Sequence, residues 1–504
     1  MSKQTPKSAA IKHDDTIEFA GDYNLNAVVL ISHNGVATDI KPMMLELNIY
    51  EGIYNNAITG SIVIGDTQNL ISTLPIQGTE RVSFKISTPG ANADAHIIDA
   101  TEKTGHPFHI YKLTDKKQIN PGTVSYILHF ASREFMRNQR VKVSQSYSQY
   151  SANTIAHKIF MDPEYLDSRK RLFFETSQVT SIIIPNLSPF KAIALVGKHA
   201  IAQDNSHQPV GMYFYETTKG FHFRSWNSMV AFPGFSLPRP PKQEFYYQPK
   251  EGAKDAVDKQ GVPENKIIND YKNVESYEFI NQFHDVAANT AMGTYGHRVI
   301  THNLYDKKYV VDDYNYHNTF NTSSHTDEGS NSAIVDSPVD FDEKSISDYP
   351  EARVSLRSST RFANDSFKGN PLDEGNFGVD VEQDGIIVGK RIGQAAQVAS
   401  GTKLRLVVKG QSFLEAGDLI RFNLRNVDVK ESDGGEDPQY SGNYIILKIR
   451  HRITTDEYKQ VLECVKDSVK EKWPGQVDKF PGRSSKQGPE LIDINYTPAS
   501  GGRH

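Results

Sequence analysis

The residues best equipped to do chemistry in this 504-residue chain are histidines, carboxylates and a single cysteine. His297, His302, His317 and His325 gather in one stretch of sequence. A zinc site needs ligands that converge, as two histidines one helical turn apart do, whereas a spacing of five on a strand puts His297 and His302 on opposite faces. They read as solvated or core-edge histidines. Asp380-Val-Glu382-Gln-Asp384-Gly385 opens like a calcium loop, but its twelfth position is Arg391, where a bidentate Glu is required. Asp312-Asp313 and the Asp340/Asp342 pair stand in polar, loop-like sequence, and glycosidase chemistry needs two carboxyls opposed across a cleft. Cys464 alternates with Leu462 on a strand pattern and reads as a small buried apolar residue, with no His and orienting group indicated to make it a nucleophile. Ser168-Arg-Lys-Arg-Leu172 is the densest positive run and reads as a solvated turn. Neither a phosphate-cradling Gly-rich lysine loop nor a dinucleotide fingerprint is present. The expectation is therefore no catalytic residue, no cofactor and no metal.

Composition narrows the classes further. Lys and Arg number 56 against 61 Asp and Glu, a formal charge of −5, which lacks the electrostatic footprint of a dedicated nucleic-acid binder. One cysteine excludes an internal disulfide framework and fits assembly in a reducing cytoplasm. The first 15 residues are polar, without the apolar core of a signal peptide, and no apolar run approaches the 18 or so residues of a membrane span. An apolar content of 38% is lean for a length that implies three or four domains. It suggests surface-rich domains, or apolar surface completed by neighbouring subunits.

The elements that must carry these residues are mostly strands. Met43, Leu45, Leu47 and Ile49 alternate, as do Val82, Phe84 and Ile86, and at least six short strands lie between turn signals up to Ala131. Residues 145–285 read as a mixed α/β domain, with helices near 151–160 and 189–202 and a segment, 271–283, that periodicity leaves open between helix and strand. Strands return after Thr294, and a helix is expected at 389–398. The expected fold class is mainly β with an α/β insertion: two related antiparallel β-barrels separated by a mixed domain. The boundaries are a flexible arm at 1–20, a first barrel at 21–144, the mixed domain at 145–285, and a second barrel at 286–314 and 349–470. A polar insertion at 315–348, too hydrophilic to bury a core, and an extended tail at 471–504 complete the chain.

The two strand-rich regions echo each other. Glu80-Arg-Val82-Ser-Phe84-Lys-Ile86 matches Asp418-Leu-Ile420-Arg-Phe422-Asn-Leu424, with Gly78 and Gly417 just upstream. Phe108-His-Ile110-Tyr-Lys112-Leu113 matches Tyr444-Ile-Ile446-Leu-Lys448-Ile449, and Leu128 and Phe130 answer Leu462 and Cys464. Gly78, Glu80, Val82, Phe84, Gly417, Asp418, Ile420 and Phe422 form the signature of the repeat.

These residues carry a resemblance. Asn56-Ala-Ile-Thr-Gly-Ser-Ile-Val-Ile-Gly-Asp66, running on through Leu74-Pro-Ile-Gln-Gly-Thr-Glu80, resembles the first tube-like barrel of the central hub proteins of contractile-phage baseplates, relatives of the hub part of type VI secretion spike proteins. Val407-Val-Lys-Gly-Gln-Ser-Phe-Leu-Glu-Ala-Gly-Asp-Leu-Ile420 and Tyr440-Ser-Gly-Asn-Tyr-Ile-Ile-Leu-Lys-Ile-Arg-His-Arg452 resemble the second barrel, and Gly293-Thr-Tyr-Gly-His-Arg-Val-Ile-Thr-His302 resembles its start. The resemblance implies a non-enzymatic homotrimer in the virion tail baseplate, assembled in the host bacterial cytoplasm. It would adapt a hexameric tail tube protein to a trimeric central spike protein, next to tape measure and other baseplate proteins, with DNA only in transit. No Val-rich spike repeat follows residue 470, so the spike would be a separate protein. The rival readings are a tail-associated cell-wall-degrading enzyme with carboxylates in the middle domain, and the hub of a phage-derived toxin-delivery particle.

Overall fold

The computed structural model describes residues 19–74, 76–88, 97–203, 210–232, 237–247, 266–281, 285–303, 308–320, 322–327, 331–335, 344–359, 381–425 and 436–471. The arm expected at 1–20 and the tail expected at 471–504 fall almost wholly outside the described residues, as do Asp340, Asp342 and Asp380.

The chain is mainly β, and 14 of its strands join one sheet. In chain order they are β1 (Asn24–Ile31), β2 (Ala37–Asp39), β3 (Met44–Gly52), β4 (Thr59–Asp66), β5 (Arg81–Ser87), β6 (Ile97–Ala100), β7 (Phe108–Asn120) and β8 (Thr123–Ala131). After the mixed region come β9 (Gln243–Tyr246), β10 (Val274–Asn281), β11 (Thr402–Lys409), β12 (Leu419–Asn423), β13 (Gly442–Thr454) and β14 (Tyr458–Lys466). The spatial order is β10-β11-β14-β13-β3-β4-β8-β7-β5-β1-β2, with β6 on β5, and with β12 joining β13 to β9. Every pairing is antiparallel except β9 with β12. Alternation explains the layering: β5 sends Val82, Phe84 and Ile86 inward, and β11 sends Leu404, Leu406 and Val408. The inward faces of β1 to β8 meet in one apolar core, and those of β9 to β14 in a second.

The mixed region has its own core. Val143–Ser151 pairs with Val179–Leu187, and helices Ala152–Met161 and Pro189–His199 pack beside them. Pro189 occupies the first helical position, where its missing N–H costs nothing. A three-stranded sheet of Leu172–Phe174, Gly220–Arg224 and Tyr213–Thr217 adds Phe214, Phe221 and Phe223 to this core.

One open reading is settled and three expectations are corrected. The segment left open at 271–283 supplies β10, which pairs with β11 inside the large sheet and leans Tyr277 and Phe279 on the second core. Residues 286–314, expected to open the second barrel, form instead a separate sheet in which Gly296–Asn303 pairs with Lys308–Asn315 and with Val354–Ser359. A helix, Val381–Ser400, longer than the 389–398 expected, packs across that sheet. The polar insertion does bury a core: Tyr316, Phe320 and Ile346 pack with Tyr295 and Tyr314. Its polar residues are anchored rather than solvated, because Asp467, after β14, accepts from Thr326 N–H at 3.0 Å and faces His325 Nδ1 at 3.0 Å.

Candidate assembly interface

The signature residues build two matching corners. Gly78 and Gly417 hold φ of +87° and +90°, a conformation that favours glycine. The acid that follows folds back on the turn. Glu80 accepts from the N–H groups of Gln77 at 2.7 Å, Gly78 at 2.8 Å and Thr79 at 3.1 Å, and Asp418 accepts from Glu415 N–H at 2.9 Å. The backbone carbonyls of the same two acids accept from Ile110 and Ile446, both at 2.9 Å. Val82 with Phe84, and Ile420 with Phe422, then point into the two cores.

From the corners onward the register repeats. Val82 stands opposite Phe108, and Ile420 opposite Tyr444. Ile110 faces Phe130 and Leu113 faces Leu128 across β7 and β8, while Ile446 faces Cys464 and Ile449 faces Leu462 across β13 and β14. The bulge between Ile110 and Lys112 recurs between Ile446 and Lys448. On the other flank, Gly60 and Ile62 of β4 correspond to Leu404 and Leu406 of β11. Their partners are Ile49 and Leu47 of β3, and Phe279 and Tyr277 of β10. A second shared bulge falls between Met44 and Glu46 and between Val274 and Ser276. A bulge displaces one residue from the ladder, so two bulges at equivalent places fix equivalence more firmly than apolar alternation can.

The two repeats are sewn into one sheet by β13 and β3, from Lys448 opposite Gly52 to Thr454 opposite Glu46. Beneath the seam His451 is fully buried, with Nε2 at 2.6 Å from Glu51 Oε1 and Nδ1 at 2.6 Å from the Tyr458 hydroxyl. On the outer face Arg450 donates to Asn48 at 2.8 Å and to Glu46 at 3.0 Å, and Arg452 donates to Glu46 at 3.1 Å. Partial burial pushes the Glu46 carboxyl up, but Asn48, Arg452 and Arg450 outweigh it and hold the group below its ordinary value.

No family model matches the chain, and no curated protein matches it. Among solved structures it aligns with a 43 kDa tail protein of prophage MuSo2 from Shewanella oneidensis, at 8% identity and a TM-score of 0.48, over 88% of this chain and 100% of that one. A tail protein from Neisseria meningitidis MC58 aligns at 8% identity and a TM-score of 0.45, over 88% and 97%. An E. coli protein described as a component of the type VI secretion system aligns at 8% identity and a TM-score of 0.38, over 84% and 73%.

The residues singled out for chemistry disperse. His297 is buried with its ring nitrogens toward the carbonyls of Gly293 at 2.9 Å and Gly389 at 3.2 Å, and burial pushes its pKa down. His325 stacks on Phe320 at 3.7 Å. Residues 381–385 of the calcium-loop-like stretch are helical backbone, which cannot wrap a cation. Asp313 forms a surface ion pair with Arg298 at 2.6 Å. Cys464 is buried, and burial pushes its thiol up. Among the described residues no three His, Cys, Asp or Glu side chains gather to hold a metal ion.

Two buried clusters were not foreseen. Lys170, read as part of a solvated turn, is enclosed between Glu216 at 2.5 Å and Glu134 at 3.1 Å, while Glu216 also accepts from Ile58 N–H at 2.8 Å. Burial lowers the Lys170 ammonium, but the two carboxylates outweigh it and hold it above its ordinary value. This joint ties the mixed region to the loop leading into β4. The second cluster surrounds the Asp418 corner. Lys242 bridges Asp418 at 2.7 Å and Glu415 at 3.2 Å, and Glu415 also accepts from the Thr217 hydroxyl at 2.7 Å and faces His222 Nε2 at 3.4 Å. Burial, then the neighbouring Glu415, pushes Asp418 up to about 7. Glu415 is held down at about 2: burial opposes this, and His222, Lys242 and Thr217 prevail. Two carboxylates with split proton affinities are the pattern of an acid–base pair. Here their oxygens are engaged by the side chains that join the mixed region to the second repeat.

Proposed function

We propose that this chain is the structural hub of a contractile phage tail baseplate, a homotrimeric ring that joins a sixfold tail tube to a threefold central spike. The observation that carries the reading is the duplicated register with its shared bulges. Three chains, each with two equivalent halves, present six similar units on a threefold axis, a geometric means of matching six partners to three. The resemblance of residues 56–80, 407–420 and 440–452 to hub barrels points the same way. In this reading the corners and the buried seam make each chain a stiff double unit, so that force from the tube passes to the spike without shear between the halves. The ring would enclose the path of DNA. A near-neutral chain suits that role, since a densely basic wall would retain the phosphate backbone.

The role is mechanical rather than enzymatic. One observation favours a second reading, in which the Glu415–Asp418 pair hydrolyses cell-wall polymer. Negative-stain images of the purified protein, beside a peptidoglycan clearing assay, separate the two. The hub reading expects rings with six lobes and no clearing. Clearing that disappears in Glu415→Gln, without rings, would replace it with the enzyme.

A further inference from the structure

The basic run Ser168-Arg-Lys-Arg-Leu172 does more than carry Lys170 to its two carboxylates. Arg169, Lys170 and Arg171 all line one cavity of about 270 Å³, walled on one side by the first half of the large sheet and on the other by the mixed region. Lys219 adds a fourth cation from the mixed region, and His106 adds an imidazole from the loop between β6 and β7. Two carboxylates, Asp99 and Glu216, share the wall. Asp99 Oδ1 accepts from the Thr101 N–H at 3.0 Å and from its hydroxyl at 2.7 Å, while Glu216 is taken up by Lys170 and the Ile58 N–H. With Glu134 behind Lys170 counted as well, cations still outnumber carboxylates. The two arginines are exposed, and neither enters an ion pair among the described residues. The Thr218 hydroxyl, in the same wall, is buried with no hydrogen-bond partner among the described residues. The backbone fixes this wall. Gly220, at φ +145°, sits so close to Arg171 that a Cβ would lie 2.6 Å from its carbonyl, which accepts from the Phe221 N–H at 2.8 Å.

We propose that this cavity binds a phosphate group, free or carried as a monoester, held by the guanidinium groups of Arg169 and Arg171 with Lys219 and the Thr218 hydroxyl. The donors select the ligand. A guanidinium presents paired N–H groups that match two oxygens of a phosphate, and a tetrahedral dianion accepts on several sides at once, whereas a carboxylate accepts in one plane. Charge agrees with shape. Burial, and after it the Lys170 ammonium, hold the His106 imidazole below its ordinary value, as a wall with surplus cations should. A phosphate in the cavity would tie the mixed region, which supplies the arginines, to the first half, which supplies His106, and so reinforce the joint that Lys170 makes. The site lies within one chain and does not depend on ring formation.

The test is calorimetric titration of the full chain with potassium phosphate and with phenyl phosphate, potassium chloride holding the ionic strength constant and potassium acetate serving as the singly charged control. The proposal expects phosphate to bind at a single site per chain and acetate not to bind. Arg171→Ala should weaken phosphate by about tenfold, the worth of one charge-assisted hydrogen bond, and Arg169→Ala added to it should weaken it further. Both arginines are exposed, so neither change disturbs a core. Lys116→Ala with Lys117→Ala, on the exposed part of β7, should leave the affinity as it was. Phosphate should also raise the Tm of the natural chain and not that of the double arginine variant. Phenyl phosphate binding with the same arginine dependence assigns the site to a carried phosphate, and binding of inorganic phosphate alone assigns it to the free ion. No phosphate binding, an equal response to acetate, or phosphate binding that survives the double arginine variant overturns the site.

Discussion

The two halves of the large sheet share a ladder but fill it differently. At one crossing the first half sets Gly60 against Phe130, and the second sets Leu404 against Cys464. All four lie inside, and the bulk has moved from one strand to its neighbour. At the corners, a Cβ on Gly78 would make only ordinary contact, 3.7 Å from the Tyr111 carbonyl oxygen, whereas Gly417 backs onto the Tyr215 hydroxyl. The mixed region packs against both halves, on the first through Glu216 and the Ile58 N–H and on the second through Tyr215 at the corner. What stays constant is the register and two of the bulges, while β7 adds shifts at Thr114/Lys117 and Gln118/Asn120 that β13 lacks. Backbone geometry, not side-chain identity, is what the duplication has preserved.

Substitutions break or sharpen this comparison, and the largest effects belong at the seam. His451→Ala leaves Glu51 Oε1 buried without its imidazole partner and should cost about 3–5 kcal/mol in denaturant unfolding, whereas Lys117→Ala, on the exposed part of β7, should leave unfolding unchanged within about 0.5 kcal/mol. Gly60→Leu places a Cβ 2.1 Å from the Phe130 ring and should cost about 3 kcal/mol. Adding Phe130→Cys, which installs the second half's pair in the first, should return part of this. The Asn48 carbonyl, 2.4 Å from the same Cβ, prevents full recovery. Gly417→Ala should lose about 2 kcal/mol, through its positive φ and a Cβ 2.4 Å from the Tyr215 oxygen, against about 1 kcal/mol for Gly78→Ala, which suffers the φ alone.

The smallest effect is a pH dependence confined to the second corner. Asp418, raised from 3.8 to about 7, binds its proton more tightly in the folded chain than in the unfolded one. Its contribution is therefore whole below pH 3.8 and is lost as pH rises through about 7. Glu415 has the opposite sign: its contribution is present above pH 4.5 and is lost as pH falls through about 2. Between pH 5 and 8 the Asp418 slope should prevail, and Asp418→Asn should flatten a fall in Tm of about 1–2 °C across that range in scanning calorimetry.

Much of the repeat could be read before the fold was known. Glu80 with Asp418, Phe108 with Tyr444 and Leu128 with Leu462 stand at equivalent crossings because apolar alternation and a turn acid are local signals. β10 escaped because the bulge at Val274/Ser276 and a further shift after Phe279 break its alternation, so that helix and strand read alike. The seam escaped for another reason: β3 and β13 are some 400 residues apart, and sequence does not say which edges meet. Lys170 looked solvated because a buried cation between two carboxylates carries no mark in its own neighbours. Tyr316 and Phe320 were hidden among polar residues that turned out to be anchors.

The most direct measurement is the mass of the purified chain by light scattering over a range of concentrations. If three chains, each with two equivalent halves, close a ring of six similar units, the mass will settle at three times that of one chain. A mass that stays at one chain up to the highest concentration would contradict the ring, and the duplicated register would then need another purpose.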